Sequence, residues 1–361
     1  MPTSNQSIQL FQELAQIFAQ RTKENQAIEF EILEPAHALT LGPLIQDDHF
    51  VGISKKALIQ IFAVARPLFF DTLVSMTDKD MLLWSDFGSI TGENNKTVVP
   101  ASDVISNVPL SVVSEIILLF DCEHVTACNW RKRRVLSFLG DSALTNVNQV
   151  LETELTLMTT YTCSLLHRHT KSPTLWQHRL WTWVQLISLR KRSLDVQGIL
   201  LEELMVVLRA GELHPRNYYA FAYLRRLYGV FVDNMIDDDE VIHEKENSAA
   251  ARSMLNPTLD WCLSHPQDIS GWTFTLWLLD QLHDQDARVA SIEQVVHFAL
   301  NLGWEGESLW TFVDLAARSF GLVERIQADS ALRGGGATDQ LDGTWKLWLS
   351  RARAYWGSAV K

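Results

Sequence analysis

Apolar positions along this chain recur mainly at helical spacing. Leu10, Leu14, Ile17 and Phe18 fall at i, i+4, i+7 and i+8, and Leu58, Ile61, Phe62 and Val64 open a second stripe. Val150–Met158 and Ile199–Val207 read as further helices, whereas strand-like text is confined to Ile28–Leu33. Polar breaks punctuate the pattern. Gly92–Pro100 reads as a loop and Asp237–Asn247 as an exposed acidic segment. Leu332–Gly343, with its triple glycine, reads as a flexible connector to a last helix ending near Trp356. The expectation is an all-α chain with a helical region at 1–108, a repeat array at 109–327, a linker at 328–343 and a C-terminal helix at 344–361. No break looks like a boundary between independent domains, because the helices on either side share one pattern.

That pattern is an internal repeat. The segments His124–Lys132, Ser172–Leu180, Asn217–Arg225, Asp268–Leu276 and Gly306–Asp314 each run from a polar or His-Pro lead-in to a buried-type anchor, often followed by arginine. With Cys128, Trp176, Phe221, Trp272 and Trp310 as anchors, the steps are 48, 45, 51 and 38 residues, enough for two helices and two turns each. A 34-residue tetratricopeptide unit is too short for these steps. Pro173, Pro215 and Pro266 suit the first turn of a helix, and Ser172 suits an N-cap. One such unit cannot bury its own apolar face, so stacking is required.

Charge and cysteines narrow the function classes. The net charge is −12, against nucleic acid or anionic membrane as the main partner. The run Arg131–Arg134 reads as a solvated helix face. The four cysteines form no C-x-x-C pair and have no histidine at zinc spacing, which argues against a disulfide framework or a metal on this chain and fits a reducing, cytoplasmic setting. Met1–Leu10 has no signal-peptide character. Ile59–Phe70 and Val113–Phe120 are interrupted by Arg66 and Glu115 and read as too short to span a bilayer, so no integral membrane segment is expected.

The repeated segments resemble the protein prenyltransferase alpha subunit repeat, a His-Pro lead-in followed by Asn-Tyr-x-x-Trp-x-x-Arg-Arg. The resemblance covers about Leu118–Phe320, and His214–Tyr218 and Ser172–Arg179 are its most specific pieces. Ile53–Leu73 is similar to the pre-repeat helix of the divergent branch that holds the alpha subunit of type III geranylgeranyltransferase. Departures are Cys128 and Phe221 for tryptophan, Leu224 for the first arginine, and loss of the arginine pair in the last two repeats. The resemblance implies a right-handed alpha-alpha superhelix of helical hairpins that pairs, as a heterodimer, with a beta subunit of the Rab-transferase type. Zinc and the isoprenoid pocket would lie on that beta subunit, and the transfer would be of a geranylgeranyl group to a C-terminal cysteine of a protein substrate. It implies that Lys171 and Tyr218 face the diphosphate of the isoprenyl diphosphate, with Pro173 standing where the family has another tyrosine. A lysine beside a helix N-terminus and a tyrosine hydroxyl suit a developing diphosphate charge.

Plainer readings stand beside these. Lys171 reads equally as a solvated turn residue and Tyr218 as an interface tyrosine. His167 and His169 read as surface histidines rather than a metal pair, and Glu202, Glu203 and Glu212 as helix-face carboxylates. Arg179, Arg225 and Arg226 read as bridges between repeats or to a partner. Under the transferase reading the acidic segment near Asp237 is a candidate for selecting protein substrates; the rival function is a non-catalytic helical-repeat scaffold on the same fold.

Overall fold

A computed structural model describes residues 4–75, 108–140, 147–190, 194–234, 240–304 and 306–322. The loop expected at Gly92–Pro100, the connector at Leu332–Gly343 and the last helix lie outside the described residues. Contacts divide the chain into two compact units, Met1–Arg190 and Lys191–Lys361. This division falls inside the expected array rather than at its ends.

The first unit begins with α1 (Asn5–Glu24), capped by Ser4, whose side chain accepts from the Ser7 N–H. β1 (Glu29–Leu33) follows, then α2 (Pro35–Leu41), β2 (Leu44–Asp47), β3 (Phe50–Ser54) and α3 (Lys55–Ser75). The strands form a three-stranded sheet in the order β1-β3-β2, parallel between β1 and β3 and antiparallel between β2 and β3. Only β1 is foreshadowed by alternation. α3 buries Ala57, Leu58, Ile61, Val64, Ala65 and Phe69 and packs on α1 and on α4 (Leu110–Phe120). Its window Lys55–Val74 has mean hydropathy 1.6 and is long and apolar enough to cross a bilayer by length and composition. The expectation that this stretch is too short is therefore corrected, because the helix extends past Ile59–Phe70 at both ends. A helix covered on two sides carries the same composition.

α4 is buried along almost its whole length, including Ser111, Ser114 and Glu115. α5 (Val125–Gly140), α6 (Val147–Thr162), the short α7 (His167–Thr170) and α8 (Pro173–Arg190) complete the unit, with α4 pairing α5 and α6 pairing α8. The end of α6 also covers the outer edge of β1. The Ile28 N–H donates to Thr160 Oγ1, the Phe30 N–H to Ser164 Oγ, and the Leu165 N–H to the Phe30 carbonyl.

The second unit is built from α9 (Val196–Leu213), α10 (Tyr218–Asn234), α11 (Glu240–Ser264), α12 (Ile269–Gln281), α13 (Gln285–Leu302) and α14 (Glu307–Ser319). First helices pack on first helices, α9 on α11 and α11 on α13. Second helices pack on second helices, α10 on α12 and α12 on α14. This is the stacking that a repeat of helical hairpins requires. The acidic stretch expected as an exposed segment is helical from Glu240 onward. Pro215 and Pro266 are also placed differently from expectation, lying in the turns before α10 and α12 rather than in their first helical turns. A residue preceding proline is driven out of helical geometry, so His214 and His265 mark where α9 and α11 stop.

Candidate functional site

The five predicted anchors, Cys128, Trp176, Phe221, Trp272 and Trp310, are all buried. Each lies four residues after a helix-capping position. In four of the five that position supplies a side-chain acceptor for the N–H one residue before the anchor. His124 Nδ1 accepts from Ala127 at 3.1 Å, Ser172 Oγ from Leu175 at 3.1 Å, Asn217 Oδ1 from Ala220 at 3.3 Å, and Asp268 Oδ1 from Gly271 at 3.2 Å. The three tryptophan anchors share a second device. Each indole N–H donates to the carbonyl six residues earlier: Trp176 to Thr170 (2.8 Å), Trp272 to Pro266 (3.0 Å) and Trp310 to Trp304 (2.8 Å). Buried indole thus satisfies the turn that precedes its own helix.

The turns are also tied to one another. In the first unit, Ser172 Oγ donates to the Cys122 carbonyl at 3.1 Å, and the Glu123 carboxylate accepts from the hydroxyls of Ser172 and Thr174. In the second, the Arg216 N–H donates to Asp268 Oδ2 at 2.6 Å, and Ser308 Oγ to the Gln267 carbonyl at 3.1 Å. Counted from the anchors, Glu123, Arg216 and Gln267 occupy the same place in the first, third and fourth repeats, as Thr174 and Ser308 do in the second and fifth.

Lys171 occupies that same place in the second repeat. It is half-buried at the C-terminal cap of α7, two residues before Pro173 opens α8. The α8 terminus is not an empty anion site, because the Glu123 carboxylate and the Ser172 cap already sit there. Tyr218 is the first residue of α10, 64% exposed, with its ring against Tyr219. Lys171 belongs to the first unit and Tyr218 to the second. Tyr218 is one of a series: the residue three before each anchor is Val125, Pro173, Tyr218 and Ile269 in the first four repeats, all exposed.

Arg225 is the residue that sequence reasoning set aside. It is half-buried on α10, two helical turns beyond Tyr218, with its guanidinium 5.8 Å from the centre of the Phe274 ring. No carboxylate faces it among the described residues, and its Nε has no hydrogen-bond partner. Burial lowers its pKa, offset only by the Tyr218 hydroxyl.

The other arginines behave as bridges. Arg131, expected on a solvated face, is buried and grips Glu154 with Nε at 2.9 Å and Nη2 at 2.6 Å. Its Nη1 donates to the Ser111 carbonyl and Ser114 Oγ, and Glu115 joins it to Arg21. Arg134 is buried beside Glu154 as well. The run Arg131–Arg134 is therefore half interior, because its helix turns two guanidiniums toward buried acids. Glu115 is correspondingly a buried partner rather than a simple interruption. Arg179 donates from α8 to the Leu155 carbonyl and Thr159 Oγ1 of α6. Glu203 accepts from Tyr223 at 2.6 Å within the α9–α10 hairpin. His169, expected at the surface, is buried, with Nε2 2.9 Å from the Leu118 carbonyl. The four cysteines are free and buried, and burial pushes the Cys128 thiol up to about 12, so it is no thiolate nucleophile. Among the described residues no three His, Cys, Asp or Glu side chains gather to hold an ion.

Residues 200–230 match the family model of the protein prenyltransferase alpha subunit repeat. The match runs from α9 through the turn into α10 and contains Asn217, Tyr218, Phe221 and Arg225. No curated protein matches the chain. The matched hairpin is the third of the five sequence segments, and the geometry of its capping residue and anchor recurs in the others.

Proposed function

We propose that this chain is the helical alpha partner of a protein prenyltransferase, inactive until it joins a beta subunit that carries zinc and the isoprenoid pocket. The observation that carries this reading is the prenyltransferase alpha subunit repeat at residues 200–230. The common capping and anchor geometry of the other hairpins supports its extension along the chain.

The chain's own contribution is then electrostatic. When an isoprenyl group passes to the C-terminal cysteine of a protein substrate, the carbon–oxygen bond to diphosphate breaks as the carbon–sulfur bond forms, and negative charge grows on the departing phosphate oxygens. Lys171, half-buried in the turn before α8, offers a positive charge, and the exposed Tyr218 at the start of α10 offers a hydroxyl donor. Arg225, its guanidinium 5.8 Å from the centre of the Phe274 ring, adds a second cation on the Tyr218 helix. Within the second unit, the exposed Tyr218 and Ile269 at successive helix starts suit a protein partner. Geranylgeranyl is the proposed lipid.

Co-expression with candidate beta subunits tests this reading. A stable heterodimer should transfer prenyl groups, and Lys171→Ala or Tyr218→Phe should lower turnover by about 10²-fold without dissociating the pair. Arg225→Gln should raise the KM for isoprenyl diphosphate. If no beta subunit co-purifies, the enzyme reading fails and the scaffold reading takes its place. If the complex turns over normally with Lys171→Ala, the diphosphate assignment fails while the partnership stands.

A further inference from the structure

We infer that the outer edge of β2 is a docking strand for a basic, extended segment of a partner protein, which adds to the sheet as a fourth strand. This inference is independent of the prenyltransferase reading. The ladder fixes which groups are available. The Ser54 N–H donates to the Pro43 carbonyl at 2.8 Å, so in the β2–β3 register the pairs Pro43–Ser54, Ile45–Gly52 and Asp47–Phe50 are the hydrogen-bonded ones. The backbone N–H and carbonyl groups of Leu44 and Gln46 therefore point outward. Among the described residues no strand pairs with them, whereas the opposite edge, β1, is covered by the end of α6.

Beside this edge runs an open groove of about 420 Å³, lined by Glu13, Gln16, Ile17 and Gln20 of α1 and by Leu44, Ile45 and Gln46 of β2. An unpaired edge with a groove alongside is the arrangement used for strand addition, where main-chain bonds give affinity and alternate side chains give selectivity. Charge selects the occupant. Glu13 puts a carboxylate on the α1 wall of the groove, Asp47 ends β2 and Asp48 follows it, and from Asn25 to Ser54 the chain carries no lysine or arginine. Ile17, Leu44 and Ile45 supply the apolar part of the groove. The fitting segment is thus extended, with apolar and basic side chains alternating.

Fluorescence anisotropy of the full chain with a labelled peptide of about eight residues, alternating valine and lysine, tests this. Saturable binding is expected, tightening as salt is lowered. N-methylation of alternate peptide nitrogens should weaken it about tenfold or more, as should Gln46→Pro, which removes an outward N–H. The variant Glu13→Lys with Asp47→Lys keeps every backbone group and should weaken binding comparably, which covers the case in which Gln46→Pro disturbs the sheet by circular dichroism. The inference is overturned if the N-methylated peptide binds as well as the parent, if a valine–glutamate peptide binds equally, or if the charge variant changes nothing.

Discussion

Asp268 is the residue on which the tie between successive repeats can be measured. It is buried, and its carboxylate receives three backbone N–H groups: Ser270 at 2.8 Å and Gly271 at 3.2 Å on Oδ1, and Arg216 at 2.6 Å on Oδ2. Asp268→Ala removes a helix cap, which costs about 0.5–2 kcal/mol. It also strands the Arg216 N–H in a turn whose φ of 61° is already unfavourable for a residue with a Cβ, for roughly another 0.5–1 kcal/mol. The expected loss is about 1–3 kcal/mol. Asp195 provides the control. It is exposed and caps α9 through the Gly198 N–H at 3.0 Å, and among the described residues it makes no tie to another repeat, so Asp195→Ala should cost only the cap. Hydrogen exchange read by mass spectrometry localises the effect. Peptides spanning Arg216 and Asp268 should exchange roughly 5- to 150-fold faster in Asp268→Ala, while α6 peptides should be unchanged. If Asp268→Ala disturbs only α12 and leaves the Arg216 turn as protected as Asp195→Ala does, the tie contributes nothing and the reasoning fails.

The remaining predictions concern the interior. Trp272→Ala should cost about 3–5 kcal/mol in urea denaturation, and Trp272→Phe about 2 kcal/mol, because phenylalanine keeps the contact with Phe312 but loses the donor to Pro266 and part of the buried ring volume. Glu154→Gln should cost about 3–5 kcal/mol by leaving Arg131 buried and half-paired, and the double change Arg131→Met with Glu154→Leu should recover part of that loss. Burial lowers the pKa of His169 below its ordinary value. With a folded pKa below the unfolded 6.5, the stability it contributes is present above about pH 6.5 and is lost as pH falls toward the folded value. His169→Gln should flatten that fall when melting temperatures are compared between about pH 7.5 and 5.5, and an unchanged slope would exclude His169 as its source.

How far the fold was legible depended on whether a signal was local. Capping residue and anchor lie four apart, so Ser172–Trp176 and Asp268–Trp272 announce a helix start and its buried side in one glance. β1 was visible in its alternation, but β2 and β3 are four and five residues long. The turn between them, Asp48-His49, lacks the glycine that marks a hairpin, although Asp48 takes a φ of 52°. Arg131 was hidden for a different reason. A run of four basic residues looks solvated until a carboxylate 23 positions away, Glu154, is known to be buried beside it. Of the candidate site, the turns at Lys171 and Tyr218 were legible as positions. The setting of Arg225 was not, since what distinguishes it is its half-buried place against the Phe274 ring, 49 positions away in sequence.

The two anchors that depart from tryptophan show how the repeat tolerates its own erosion. At Cys128 there is no indole to donate to the carbonyl six residues back, that of Cys122, and the Ser172 hydroxyl of the next repeat donates to it instead. At Phe221 the missing ring area is supplied from α11, where Trp261 lies 5.8 Å from the Phe221 ring. Trp261 reaches that place only because two helices carry glycine beside it. A Cβ on Gly211 would stand 3.0 Å from its ring and one on Gly271 only 2.7 Å. Gly271 is therefore part of the replacement for a tryptophan in a different repeat, and Gly271→Ala should destabilise the Phe221 hairpin although the two residues are 50 apart in sequence. The anchor is better understood as a volume and a hydrogen bond to be supplied than as a residue type.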